Sequence, residues 1–429
     1  MIKKKSNLEK YFQHTTPNGL RVSLIKRENA SSFHMAMLVN YGGVDSEFLT
    51  GNKKYYKTPR GIAHFLEHKM FESKNQDTFE RFSKQSGSIN AYTNATATVY
   101  YFSCTDNIAD NTKLFFNCMQ NPYITRENTE KEKGIITQEI NMYKDNPFAK
   151  VYDNLLKGMY HKNPVRYDVA GEVSDIETIT YDMLIKCYET FYTTRNMELF
   201  VVGQVDEKWL FDFIDSIDNF SKGDKTLKIY PGEKDNVKDP LVEDHMDVVD
   251  TNFLLGFKQN TSSLKGSELL KLDAIFNMIL EYTSGNMSSL YERLYSEGYI
   301  DQSFGYGVNI HSKFGFNVIG GISKDPLYVR DAFVEEINFF INKGINENDF
   351  KSIKKMMLGN YTRIFDDSFS LLNNIITARN KGGCFLEITD IASSIEVDEV
   401  YRALKSGFDE SRMILSTIVP LRDKKENKN

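Results

Sequence analysis

The chain has 429 residues, a formal net charge of −6, 41% hydrophobic and 26% charged residues, the balance of a globular protein of two or three domains. That acidic balance argues against general affinity for nucleic acid or an anionic membrane, and no apolar run approaches the ~20 residues of a membrane-spanning helix. Cys104, Cys118, Cys187 and Cys384 lie far apart with no Cys-x-x-Cys pair, which excludes a disulfide scaffold and fits a reducing, cytoplasmic compartment.

The start, Met1–Lys10, carries the positive charge of a signal peptide's beginning without the apolar segment that follows in one. A strand is expected at Met35–Val39, then a long polar loop, Gly42–Arg60, placed to act as a flap. Ile62–Phe71 holds no glycine or proline and reads as a helix. A strand ribbon around Ser88–Thr96 precedes a helical tract, Asn107–Tyr143, broken at Ile124–Asn128. Glu198–Gly203 looks like a buried strand, and the apolar spacing around Trp209 like helix core. The polar stretch Phe220–Pro240 reads as a linker. Beyond it come Phe253–Phe257 as a strand, Leu269–Leu280 as a helix and Phe314–Ile322 as a strand. A second helical tract, Asp325–Tyr361, and a last strand, Met413–Val419, follow, and the charged tail Arg422–Asn429 is expected to fray. Ile345–Asp349 repeats the helix-joining Ile124–Asn128 at an offset of 221 residues, and the strands at Met35 and Phe253 are 218 apart. Either an α+β unit is duplicated or two α+β domains look alike by chance; duplication is the reading adopted. The expected domains are 1–220, a linker at 221–240, and 241–429.

On the helix Ile62–Phe71, His64 and His68 are one turn apart and share a face. Two imidazoles so placed either reach one zinc ion or are a structural pair. Glu67 lies beside them, positioned to take a proton from a metal-bound water without binding the metal. The order His-x-x-Glu-His is the inverzincin signature. Such a site needs a third protein ligand. Glu132 and Glu139, two turns apart on one helix face, are candidates, with Glu139 set between Ile136, Ile140 and Tyr143; a merely solvated charged face is the blander reading. Glu130 reads as surface.

His64-Phe65-Leu66-Glu67-His68, followed after 70 residues by Glu139, closely resembles the pitrilysin–insulysin family of zinc peptidases, in its short bacterial processing-peptidase-like branch. Ser88–Thr96 resembles the family's asparagine–alanine strand and Phe200-Val201-Val202-Gly203 its half-ending, so the likeness covers nearly the whole chain. The resemblance implies two homologous α+β domains, each a mainly antiparallel sheet packed against helices, together half of a clam-shell chamber. It implies one zinc per chain held by His64, His68 and Glu139, Glu67 as general base, and Glu132 as an accessory glutamate orienting one histidine. It further implies an edge strand at Asn90, Ala91, Tyr92 and Thr93 to which a peptide substrate adds main-chain hydrogen bonds. From the residues alone, Asn90 reads as a turn or strand-end residue satisfying its own backbone.

One departure matters. Self-sufficient members carry an arginine and a tyrosine seven residues apart in the second half, whereas the matching stretch Met287–Asp301 places Tyr295 and Asp301 near those positions and Arg293 out of step. The second half also lacks the His-x-x-Glu-His motif. The expected assembly is therefore a dimer, a heterodimer with a metal-free paralogue supplying the Arg/Tyr pair being favoured. The expected activity is zinc-dependent endopeptidase cleavage of peptides or unfolded segments, in processing of a small precursor or in peptide turnover. The competing expectation is a non-catalytic structural or peptide-binding subunit.

Overall fold

In the computed structural model, which describes residues 10–74 and 77–421, the fully buried run Phe33–Val39 forms the strand around which the first sheet is built. The strands in chain order are β1 Lys10–Thr15, β2 Arg21–Lys26, β3 Phe33–Val39, β4 Glu47–Leu49, β5 Tyr55–Lys57, β6 Gly87–Thr93, β7 Thr98–Cys104, β8 Met197–Gly203 and β9 Leu227–Lys228. They continue with β10 Leu241–Met246, β11 Thr251–Lys258, β12 Gly305–His311, β13 Phe314–Ser323 and β14 Met413–Pro420. One sheet has the order β1-β2-β8-β3-β7-β6 and another β10-β14-β11-β13-β12. β2 runs parallel to β8 and β10 parallel to β14, and every other pairing in the two sheets is antiparallel. Strand for strand, the second sheet repeats the first without β1. The chain is thus two homologous α+β domains, each with a mainly antiparallel sheet packed against helices.

The central strands were legible because burial on both faces selects apolar, β-branched and aromatic residues. β8 is buried at all seven positions, and Leu199, Val201 and Met197 join the same core as Met35, Met37 and Val39. The two helical tracts resolve into Ile108–Gln120 with Arg126–Lys144, and Pro326–Lys343 with Glu347–Ile364. Both second helices begin on an asparagine-based cap: Thr125 and Asn128 bond each other's backbone N–H groups, and Asn346 accepts from Asn348 and Asp349.

The compact units are not continuous in sequence. One comprises Met1–Ile140, Asp168–Tyr230 and Arg363–Asn380; the other comprises Asn141–Tyr167, Pro231–Thr362 and Lys381–Asn429. Two helices, one from each half of the chain, thus join the unit built mainly from the other half. Ser368–Asn380 belongs to the first unit, where Arg379 pairs with Glu198 of β8 and Phe369 packs on His34 and Tyr101. Pro147–Met159 belongs to the second, where Ser416 of β14 donates to the Val151 carbonyl. Apolar pattern says that a helix is amphipathic, not which sheet it covers.

Two local expectations change. The polar Gly42–Arg60 stretch is no free flap: β4 pairs with β5 and with β9, so it is part of a small sheet. The 221–240 segment, read as a linker, has specific partners along its length. Lys228 and Tyr230 bond the buried Asp45, and Glu233 accepts from the backbone of His161, Lys162 and Asn163 and pairs with Lys258. Trp209 is 40% exposed and stacks on Phe213, because the buried stripe of its helix is Leu210 and Ile214 one residue over. The readings of Met1–Glu9 and Arg422–Asn429 lie outside the described residues. Among the described residues, no helix is long and apolar enough to cross a membrane.

Candidate metal centre

The motif helix, Ile62–Met70, starts at Gly61, whose φ is 81°. A side chain there would be strained, and its Cβ would lie 2.2 Å from the Ala170 carbonyl oxygen, so only glycine allows this entry. Ile62, Ala63, Phe65, Leu66 and Met70 enter the core. That anchoring fixes the opposite stripe, which carries His64, Glu67 and His68.

The helix Arg126–Lys144 lies across this stripe. Its Glu139 carboxylate is 3.7 Å from His64 Nε2 and 3.5 Å from His68 Nε2, and the two Nε2 atoms are 3.2 Å apart. The three donors all fall within 4.8 Å of one another. Tetrahedral zinc with bonds of about 2.0–2.1 Å separates its ligands by about 3.3 Å, so these spacings fit one ion. Two imidazoles and a carboxylate are also the donor set of a catalytic zinc that keeps a position for water. Two turns earlier, Glu132 is 5% exposed and its Oε1 lies 3.0 Å from His68 Nδ1. The carboxylate accepts the Nδ1 proton, which leaves the Nε2 lone pair of His68 facing the other donors. The seven-residue spacing thus gives two distinct places: Glu139 at the Nε2 atoms, Glu132 behind one ring.

Electrostatics separate the two imidazoles. Burial, helped by neighbouring His68, pushes His64 down to about 4, so it is neutral at pH 7 as a metal ligand must be. Burial also opposes charging of His68, but the Glu132 hydrogen bond and the charges of Glu132, Glu139 and Glu67 outweigh it and raise its pKa. Glu67 is raised by burial, against the hydrogen bond from Thr93. A carboxyl raised in this way is a better proton acceptor than a solvated one.

β6 is an edge strand of its sheet, and the positions Asn90, Ala91, Tyr92 and Thr93 lie on it. The Thr93 hydroxyl donates to Glu67 Oε2, so this position touches the motif helix directly. Asn90 Oδ1 accepts from the following backbone N–H, the local role its residue type suggests. In the second repeat, Tyr295 stacks on Tyr291 and Asp301 accepts from Ser303. Sequence reasoning missed Lys69, whose side chain is fully buried against Glu132, Glu72 and the Asn128 carbonyl. Nothing in its helical position distinguishes it from a surface lysine. Of the histidines without ligand spacing, His14 pairs with Asp215, and His34 with Ser32 and Ser103.

Comparison with known proteins adds independent findings. The family description "Insulinase (Peptidase family M16)" matches residues 50–172, and "Peptidase M16 inactive domain" matches residues 178–357. The protein named "Uncharacterized zinc protease YmfH", from Bacillus subtilis strain 168, is 33% identical over 423 residues, covering 96% of this chain and 97% of its own. The crystal structure of an M16-like peptidase from Alicyclobacillus acidocaldarius superimposes with a TM-score of 0.93 at 30% identity, over 96% of this chain and 99% of that one. Pitrilysin shares the fold at a TM-score of 0.71 and 15% identity, over 97% of this chain and 46% of its own. The chain belongs to the insulinase family of peptidases, family M16, whose relatives here are named zinc proteases.

Proposed function

We propose that this protein is a zinc-dependent endopeptidase that cleaves peptides or unfolded segments. One observation carries the reading: His64, His68 and Glu139 converge at zinc-ligand spacing, with Glu67 on the helix of the two histidines. In this reading one zinc ion per chain, held by those three residues, supplies Lewis-acid polarisation of the scissile carbonyl and acidifies a water. Glu67 takes the water's proton and returns it to the leaving amine. Thr93, donating to one Glu67 oxygen, leaves the other free for that proton. Glu132 holds His68 in the tautomer that presents Nε2.

The substrate lies extended along the open edge of β6, at Asn90–Thr93, where backbone groups offer hydrogen bonds indifferent to side-chain identity. The missing Arg/Tyr pair supports a dimer in which a metal-free paralogue supplies oxyanion donors. The four cysteines, all unpaired thiols, support a cytoplasmic setting.

The test is zinc content and cleavage of a quenched peptide library by wild type and Glu67→Gln, alone and mixed with a neighbouring paralogue. We expect about one zinc per chain in both forms and a loss of about 10²–10⁴-fold in turnover for Glu67→Gln. Activity appearing only in the mixture supports the heterodimer. Zinc binding without turnover in every mixture overturns the reading in favour of a peptide-binding or structural subunit.

A further inference from the structure

We propose that Lys69 is a positioning residue for the metal centre: its buried ammonium locks the Glu132 carboxylate against His68 and ties the motif helix to the start of the glutamate helix. This rests on the zinc reading above and assigns a part to a side chain that the motif leaves unspecified.

The Lys69 side chain is 0% exposed. Its ammonium has three protons and meets three acceptors: the Asn128 carbonyl at 3.1 Å, Glu132 Oε2 at 3.3 Å and a Glu72 oxygen. A flexible side chain with every donor engaged and no solvent has one orientation available. Glu132 is then divided between two partners, Oε2 to Lys69 and Oε1 to His68 Nδ1 at 3.0 Å. Without the first bond, the carboxylate keeps the second but is free to turn about its last torsion. The other Glu72 oxygen accepts from Asn128 Nδ2, and Asn128 Oδ1 closes the cap with the Thr125 N–H. The network therefore runs from the motif helix into the first turn of the helix that carries Glu139, and it constrains the distance between them.

The other imidazole sharpens the point. His64 Nδ1 is buried without a hydrogen-bond partner, so of the two histidines only His68 has its rear nitrogen held. Lys69 acts through that one ring. A cation near a metal site also repels the metal, but Lys69 sits between two carboxylates that offset its charge. Orientation, not charge, is what its removal changes most.

The experiment is a double-substitution cycle, read as zinc dissociation constants by competition with a chromogenic chelator, alongside melting of the metal-free proteins. Lys69→Met keeps length and apolar volume in the buried slot. We expect it to weaken zinc binding about 10–100-fold, the range for loss of an outer partner of a metal ligand. In a Glu132→Gln background the same substitution should change affinity less than about threefold, because the effect passes through Glu132. Unchanged or tighter binding in Lys69→Met overturns the proposal, as does a loss of equal size in both backgrounds. A lower melting temperature with unchanged affinity marks a purely structural lysine and also overturns it. Wild type and Glu139→Gln are measured in parallel. If wild type binds and Glu139→Gln does not while Lys69→Met is unaffected, only this proposal falls. If wild type takes up no zinc, the metal reading falls and this one with it.

Discussion

The two repeats share a scaffold and differ in what one helix displays. In the first, Ile62–Met70 shows His64, Glu67 and His68 on its outer stripe; in the second, the counterpart Ser267–Ser284 has no histidine. Thr93 of β6 bonds Glu67, and Tyr306 of β12 bonds Glu281 in the corresponding helix–strand pair. The 221-residue offset that aligns the glutamate helix with Glu347–Ile364 carries Glu132 to Ile353 and Glu139 to Asn360. The core survives in both because burial asks only for apolar volume at the right period. Donor geometry is a second layer written on that scaffold, and one repeat lacks it. Convergent imidazoles and carboxylates are costly without a cation, so the second repeat has no physical reason to hold them.

Four measurements probe that contrast, beginning with the largest effect. Glu139→Gln should reduce zinc affinity by more than about 100-fold, beyond what losing an outer partner costs. Asn360→Ala, at the matching place, should leave zinc content unchanged. Equal effects from both, in a metal titration, would erase the distinction.

Next, Phe65→Ala and Phe276→Ala remove a buried ring from each of the two counterpart helices, whose phenylalanines are 0% and 2% exposed. Each should destabilise by about 3–5 kcal/mol. Only Phe65→Ala should also weaken zinc binding, as measured on the folded fraction by metal competition.

The segment between the repeats is pinned by a carboxylate in each unit, the buried Asp45 in the first and the half-buried Glu233 in the second. Burial opposes ionisation of Glu233, but the Lys258 hydrogen bond and the backbone N–H groups of His161, Lys162 and Asn163 prevail and hold it down to about 2. An unfolded glutamate titrates near ~4.3. Its folded value is the lower one, so its contribution of about 2–3 kcal/mol is complete above pH ~5 and is lost as pH falls toward 2. Glu233→Gln should lower the melting temperature at pH 7 by several degrees and flatten the acid limb of the stability curve. A parallel curve for variant and wild type between pH 5 and 2.5 would remove the assignment.

Smallest is Glu281→Gln, which weakens the Tyr306 hydrogen bond. A cost of about 1 kcal/mol in thermal melting, with zinc content and turnover unaltered, is expected. Loss of turnover would show that the second repeat takes part in the chemistry after all.

The sequence by itself determined the α+β class, the duplication, and the buried strands β3, β8, β11, β13 and β14, because apolar periodicity and interior β-runs are local properties. It also singled out His64, Glu67, His68, Glu132 and Glu139, since residues one or two helical turns apart must share a face. Only the tertiary structure decided which glutamate faces which nitrogen, because that depends on how two helices cross rather than on either alone. It likewise decided that Lys69 points inward, that Gly42–Arg60 builds a small sheet with β9, and that the helices at 147–159 and 368–380 change units. The deciding partners are distant along the chain: Asn128 is 59 residues from Lys69, and Arg379 is 181 from Glu198. No spacing rule within one segment encodes a partner at that distance.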